Sequence, residues 1–161
     1  MTTSFSRFFE HRPATVLPLE QAWHAITAAR AKAEELGTRA CICVMDAHRE
    51  VIVALRMDGS CWLSFDAARG KAEVSVTFGV PSADAEGLGA LPATDQVNRL
   101  HDNRLIFSAG ALPITRGGEV IGAVGVSGHG DNDDPTEPQR GEIETAMAAI
   151  EALQPWLASA R

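Results

Sequence analysis

Three stretches of the chain place apolar residues every three or four positions, which is the spacing of a helix that buries one face. They cover residues 19–36, 64–77 and 139–154. Gly37 directly follows the first stretch, and glycine often ends a helix because it adopts the left-handed conformation without strain. Pro155 is expected to end or kink the third helix. A fourth, short helix is predicted from Thr94 or Asp95 to about His101.

Five shorter runs of apolar and often β-branched residues predict strands. They are Ala40–Met45, Val51–Leu55, Leu105–Phe107, Leu112–Thr115 and Val120–Val126. Asp46–Glu50 and Arg116–Glu119 are typical of hairpin turns, the second because its two glycines accept a positive φ. Strands joined by tight turns pair antiparallel. The order of elements therefore predicts an α+β domain in which helices pack on a five-stranded antiparallel sheet.

Length and charge narrow the classes of protein to which the chain can belong. Its 161 residues suffice for one domain, which we place at residues 18–161 behind an N-terminal arm at residues 1–17. The formal net charge of −7, without a basic stripe, argues against nucleic acid and anionic membranes as partners. No apolar run approaches the ~18 residues of a membrane span, and the first residues contain no apolar leader segment. We therefore expect a cytoplasmic protein.

The cysteines Cys41, Cys43 and Cys61 fit neither a disulfide framework nor a zinc site. Their number is odd, and no second closely spaced pair accompanies Cys41 and Cys43. These two share one side of a predicted strand, because strand side chains alternate between faces. We expect both to be buried as small apolar side chains.

Glycines recur from Gly122 to Gly130 and raise the question of a phosphate-binding loop. Such a loop joins a strand to a helix N-terminus, whereas these glycines begin inside a predicted strand and lead into an acidic loop at residues 129–138. The favoured interpretation is a strand that allows close approach of a helix, a subunit or a ligand. If a ligand approaches this strand, Gly122, Gly125 and Ser127 would line its binding site.

Four polar residues are candidates for chemistry. Arg56 and Asp58 follow the second predicted strand, and Lys71 lies on the next helix, so the three are expected at a pocket rim. The alternative is an arginine–aspartate pair that fixes a turn, with Lys71 in solvent. His24 lies beside Trp23 at the border of the first helix's apolar stripe. There it is either a surface residue or a ligand for a metal or haem iron.

Three stretches of sequence together carry a resemblance to a known family. They are Arg56-Met57-Asp58-Gly59, then Asp66–Ala72 with Thr77–Ser82, and last Gly110–Ile114 with Gly118–Gly128. In this order they resemble the GlcG/HbpS-like family, which includes the C-terminal domain of PduO. The resemblance implies a profilin-like fold, homo-oligomers that are often octamers, and haem binding in some members. A helix-borne histidine is the haem ligand in some relatives, and His24 is similar in placement.

Two functional hypotheses of different class follow. The first is an oligomeric protein that binds a small ligand, with haem as the candidate cofactor, and that serves a catabolic pathway. Its ligand would contact His24, Arg56, Gly122, Gly125 and Ser127. The second is a small cofactor-independent hydrolase or lyase that acts on a reactive catabolic intermediate. There Arg56 would clamp a substrate carboxylate, Asp58 would orient Arg56 or move a proton, and Lys71 would stabilise developing negative charge.

Overall fold

The structure, a computed structural model, describes residues 17–130, 136 and 139–159. Residues 1–16 of the predicted arm and most of the predicted acidic loop lie outside the described residues. The described helices are α1 (Leu19–Leu36), α2 (Ser64–Phe78), α3 (Glu86–Gly89), α4 (Pro92–Leu100) and α5 (Arg140–Leu157). The described strands are β1 (Thr38–Asp46), β2 (Val51–Arg56), β3 (Ala111–Arg116) and β4 (Glu119–Gly130), with a 3-10 turn at Ser82–Ala85. None of these helices has the length and apolar character needed to cross a membrane.

The three long helices, the short helix before His101 and the two hairpins are present as predicted, with ends that differ by a few residues at most. Gly37 ends α1 in the left-handed conformation with φ 68°. Gly117 and Gly118 form the turn between β3 and β4, and both have positive φ. Pro155 lies inside α5 instead of ending it, because the helix continues to Leu157.

The strands form one antiparallel sheet in the order β2-β1-β4-β3. The predicted fifth strand at Leu105–Phe107 is therefore wrong. The backbone N–H and carbonyl of Leu105 bond to the side-chain amide of Asn98, and the Ile106 N–H bonds to the Gly70 carbonyl. Because these groups already have partners, this segment runs along α2 without a neighbouring strand.

Helices cover both faces of the sheet. α1 and α5 pack side by side on one face, and α2 packs on the other, mainly against β4 and β1. Ile42 and Val44 of β1 belong to the core beneath α1 and α5, whereas Cys41 and Cys43 face α2. Both thiols are fully buried, as predicted, and Cys61 is exposed.

Candidate functional site

His24 lies on the outward side of α1, away from the sheet. The buried residues of this helix define its inner side; they are Ala22, Ala25, Ile26, Ala29 and Ala33. His24 falls outside this stripe and is exposed. It lines an open groove of about 580 Å³ that α1 forms with the end of α5, where Pro155 and Trp156 supply the opposite wall. The groove thus combines one imidazole with flat apolar surfaces.

Trp23 separates the His24 groove from a second groove of about 520 Å³ between α1 and the end of β2. Trp23 is 60% exposed, and its backbone carbonyl accepts a hydrogen bond from the Thr27 hydroxyl at 2.8 Å. Arg56 and Asp58 line the second groove. Two predicted site residues, His24 and Arg56, therefore face neighbouring grooves that share one tryptophan.

Three arginines lie in or near these two grooves. Arg30 lines the second groove and pairs with Glu34 on the same helix turn at 2.8 Å. The Arg56 guanidinium donates a long hydrogen bond of 3.4 Å to the Ser60 carbonyl. The Arg116 guanidinium stacks over the Trp156 ring, 4.3 Å from its centroid. An anionic group bound in either groove would find an arginine nearby.

Lys71 occupies a different environment from Arg56 and Asp58. Its ammonium is buried and lies 2.6 Å from Glu142 Oε2, and it donates a longer bond of 3.4 Å to the Val126 carbonyl. Lys71 is therefore not in solvent, and the two grooves beside α1 do not bring it together with Arg56 and Asp58. Lys71 contacts Glu142 of α5 and Val126 of β4. Arg56 and Asp58 line the groove beside α1.

The glycines of β4 serve close packing of the backbone. A Cβ atom at Gly125 would overlap the Ala68 carbonyl oxygen and would lie 2.9 Å from the Ala72 Cβ on α2. A Cβ atom at Gly122 would overlap the Met45 carbonyl oxygen of β1. At Gly125 the favoured interpretation, close approach of a helix, is therefore correct. Helix α2 occupies the space next to Gly125 that a ligand would need.

Ser127 lies at one level of the sheet with Arg56. Both residues are paired with Cys41, Ser127 from β4 and Arg56 from β2. Ser127, within β4, therefore points to the same face as Cys41, which α2 covers, whereas Arg56 is the last residue of β2 and lines the groove beside α1. Neither of the two grooves beside α1 includes Ser127.

The comparisons with known proteins agree with this architecture. Residues 17–137 match the family model described as "Haem degrading protein HbpS-like". The chain belongs to the HbpS-like family. A double mutant of HbpS from Streptomyces reticuli has 28% identity and a TM-score of 0.72, with 89% of this chain and 91% of that chain covered. The resemblance stated from sequence motifs is thereby confirmed.

Two further solved structures share the fold of this HbpS-like family member at lower identity. The protein ORFY from Klebsiella pneumoniae has 22% identity and a TM-score of 0.73, with 90% of this chain and 95% of that chain covered. A structure titled as the PduOC:heme complex has 21% identity and a TM-score of 0.71, with 84% and 94% covered. No curated protein matches the chain.

A buried carboxylate on α2 was missed by the sequence analysis. The side chain of Glu73 is 2% exposed, and its two oxygens lie 3.1 Å from Arg69 Nε and 2.9 Å from His101 Nε2. The four-residue spacing of Arg69 and Glu73 on a helix is a visible signal for an ion pair. The approach of His101, 28 residues away along the chain, has no such signal.

Proposed function

We propose that the protein binds haem on the outward side of α1 and that His24 would bind its iron. The observation that carries the proposal is the exposed imidazole of His24 in a groove walled by tryptophan, in a chain of the HbpS-like family. Imidazole is a common ligand of haem iron, and exposed aromatic side chains offer flat contacts to a porphyrin. The solved PduOC:heme complex, which shares the fold, supports haem as the ligand class.

The second groove gives the propionates of haem a place to bind. A flat ligand held by His24 and extending over Trp23 would reach the side on which Arg30 and Arg56 lie. A guanidinium binds a carboxylate with two parallel hydrogen bonds, so either arginine is suited to a propionate. When bound, the haem iron would supply ligand binding and redox chemistry. The chain's own residues would orient it and cover one face.

The same proposal includes a closed homo-oligomer, an octamer by the family resemblance, that works in the cytoplasm within a catabolic pathway. An open surface groove leaves much of a bound haem in water, and a neighbouring subunit would cover it. Large exposed apolar side chains support self-association because isolated soluble domains rarely expose several together. They include Trp62 at 73%, Leu63 at 51%, Val97 at 59% and Leu100 at 89% exposure.

Titration of ferric haem into the protein, followed through the Soret band, tests the role of His24. We expect saturable binding by the wild type and binding weakened by about tenfold or more in His24→Ala, because the iron loses its axial ligand. His48→Ala is the matched control, since His48 is exposed in the turn after β1 and, within the part of the chain that the structure describes, bonds there only through its backbone N–H. Equal affinity of His24→Ala and the wild type would refute the proposed ligand.

Haem dimethyl ester separates the iron contact from the propionate contact. We expect Arg56→Gln to weaken haem several-fold and to leave the ester unaffected, because the ester carries no propionate charge. His24→Ala should weaken both ligands. If Arg56→Gln lowers the affinity for the ester as much as for haem, Arg56 acts on the fold of the groove and not on the propionates.

A further inference from the structure

A third cleft, of about 470 Å³, lies between α2 and the segment that follows α4. It is separate from the grooves beside α1, because α2 covers the opposite face of the sheet. Its walls carry apolar side chains, among them Leu63, Ala67 and Ile106, and two arginines, Arg69 and Arg104. The cleft thus joins an apolar surface to two guanidinium groups.

The buried carboxylate of Glu73, one turn further along α2, holds Arg69 by an ion pair. The ion pair of 3.1 Å involves the Arg69 Nε, and His101 occupies the other Glu73 oxygen at 2.9 Å. Glu73 therefore has a partner at each of its two oxygens, and its ion pair restrains the Arg69 side chain. The Arg69 side chain remains 35% exposed, and among the described residues its terminal nitrogens have no hydrogen-bond partner. Those nitrogens are available to an anion in the cleft.

The wall opposite Arg69 is built on an unusual backbone segment. Asp102 and Asn103 both have positive φ, 56° and 55°, which is uncommon for residues other than glycine. The segment is fixed on α2, because the Ile106 N–H bonds to the Gly70 carbonyl and a Cβ at Gly70 would overlap the Arg104 carbonyl oxygen. This segment brings Arg104 to the cleft.

We propose that this cleft binds a small monocarboxylate with a short apolar body. Arg69 and Arg104 would hold the carboxylate, and Leu63, Ala67 and Ile106 would contact the apolar part. Asp66 and Asp102 also line the cleft, and the Asp102 carboxylate lies 3.7 Å from the Arg104 guanidinium, a long and exposed ion pair that a bound carboxylate would replace. Their charges oppose a doubly charged phosphate more strongly than a singly charged carboxylate, which favours the carboxylate.

Isothermal titration with sodium hexanoate tests this site, with hexanamide and inorganic phosphate as comparison ligands. We expect hexanoate to bind the wild type, and hexanamide and phosphate to bind at least about tenfold more weakly. Arg69→Gln and Arg104→Gln should each weaken hexanoate by about tenfold, and Arg69→Lys should weaken it less. Arg99→Gln is the matched control, since Arg99 is exposed on α4 and pairs with Asp95 on the same helix.

The outcomes of this experiment are distinct from those of the haem titration. His24→Ala should bind hexanoate as the wild type does, and Arg104→Gln should bind haem as the wild type does. Arg104 is a surface residue whose side chain is 48% exposed, so its variant is expected to fold even if Arg69→Gln does not. Equal binding of hexanoate and hexanamide, preference for phosphate, or full hexanoate affinity in Arg104→Gln would each overturn the proposal.

Discussion

The Lys71 ammonium and the Glu142 carboxylate form an ion pair of 2.6 Å in which the two side chains are only 5% and 7% exposed. The second oxygen of Glu142 accepts the Gly128 backbone N–H at 2.8 Å. The pair thus ties α2 to α5 across the end of β4. Sequence rules for lysine favour solvent, and the burial of Lys71 depends on this partner from the other end of the chain.

Removal of one charge of this pair is expected to destabilise the fold strongly. In Lys71→Met the Glu142 carboxylate keeps, among the described residues, only the Gly128 N–H, and an unpaired buried charge costs about 3–5 kcal/mol. The double variant Lys71→Met/Glu142→Gln should recover much of this loss, because no charge is left unpaired. Urea unfolding gives the free energies of unfolding. A double variant less stable than Lys71→Met would contradict this account.

Gly125→Ala is expected to destabilise the protein by about 3 kcal/mol or more. The new methyl group would overlap the Ala68 carbonyl oxygen, which is backbone and cannot move without displacing α2. Gly87→Ala is the control, because a Cβ atom at Gly87 meets no atom within 4 Å. Thermal unfolding of the two variants compares them directly. Similar melting temperatures would argue against tight packing of α2 on β4.

Asn98→Ala is expected to cost about 1–3 kcal/mol, because it leaves the Leu105 N–H and carbonyl without their partners. Gln96→Ala on the same helix provides the control, since Gln96 is exposed. Urea unfolding measures the difference between the two variants. Hydrogen exchange at Leu105 should also become faster in Asn98→Ala, and unchanged exchange there would show that another group protects this amide.

Burial raises the pKa of the Cys43 thiol from 9.0 to about 12. Between these values the unfolded chain has lost a proton that the folded protein keeps, so the stability that this group contributes falls as the pH rises. The unfolding equilibrium constant should grow by roughly tenfold per pH unit from this group alone. Urea unfolding of wild type and Cys43→Ala between pH 8 and 11, under reducing conditions, isolates its contribution. Parallel pH profiles of the two proteins would refute the assignment.

The self-association proposed above is checked by light scattering on a size-exclusion column. The mass should be several times the 17.1 kDa of the chain, since a neighbouring copy would cover the exposed apolar side chains. Val97→Glu/Leu100→Glu places charge on the exposed side of α4 and is expected to lower the mass if that surface is an interface. A monomeric wild type at micromolar concentration would rule out the oligomer.

Local patterns in the sequence were sufficient to predict most of the helices and hairpins. The end of α1 follows from Gly37, and the turn between β3 and β4 follows from Gly117 and Gly118, because glycine accepts the positive φ that both places need. Leu105–Phe107 has the composition of a strand, yet its backbone partners are the Asn98 side chain and α2. Such partners arise from tertiary packing, which periodicity does not contain.

The candidate site could also be predicted only in part, because tertiary packing builds the rest of it. Helical spacing places His24 at the border of the apolar stripe of α1, and the structure shows that it lies outside the buried residues of this helix. The presence of Trp156 across the groove depends on the packing of α5 beside α1, which no local pattern specifies. Lys71 and Glu142 are 71 residues apart, and their pairing likewise arises only in the folded chain.

The two outer strands of the sheet differ in what they offer to an additional strand. β3 contains Pro113, whose nitrogen has no hydrogen to donate, whereas β2 contains no proline. Among the described residues, β2 has a strand neighbour on one side only. A peptide or a second copy that extended the sheet would therefore meet no proline along β2 and one proline along β3. An additional strand would consequently be expected to pair with β2 and not with β3.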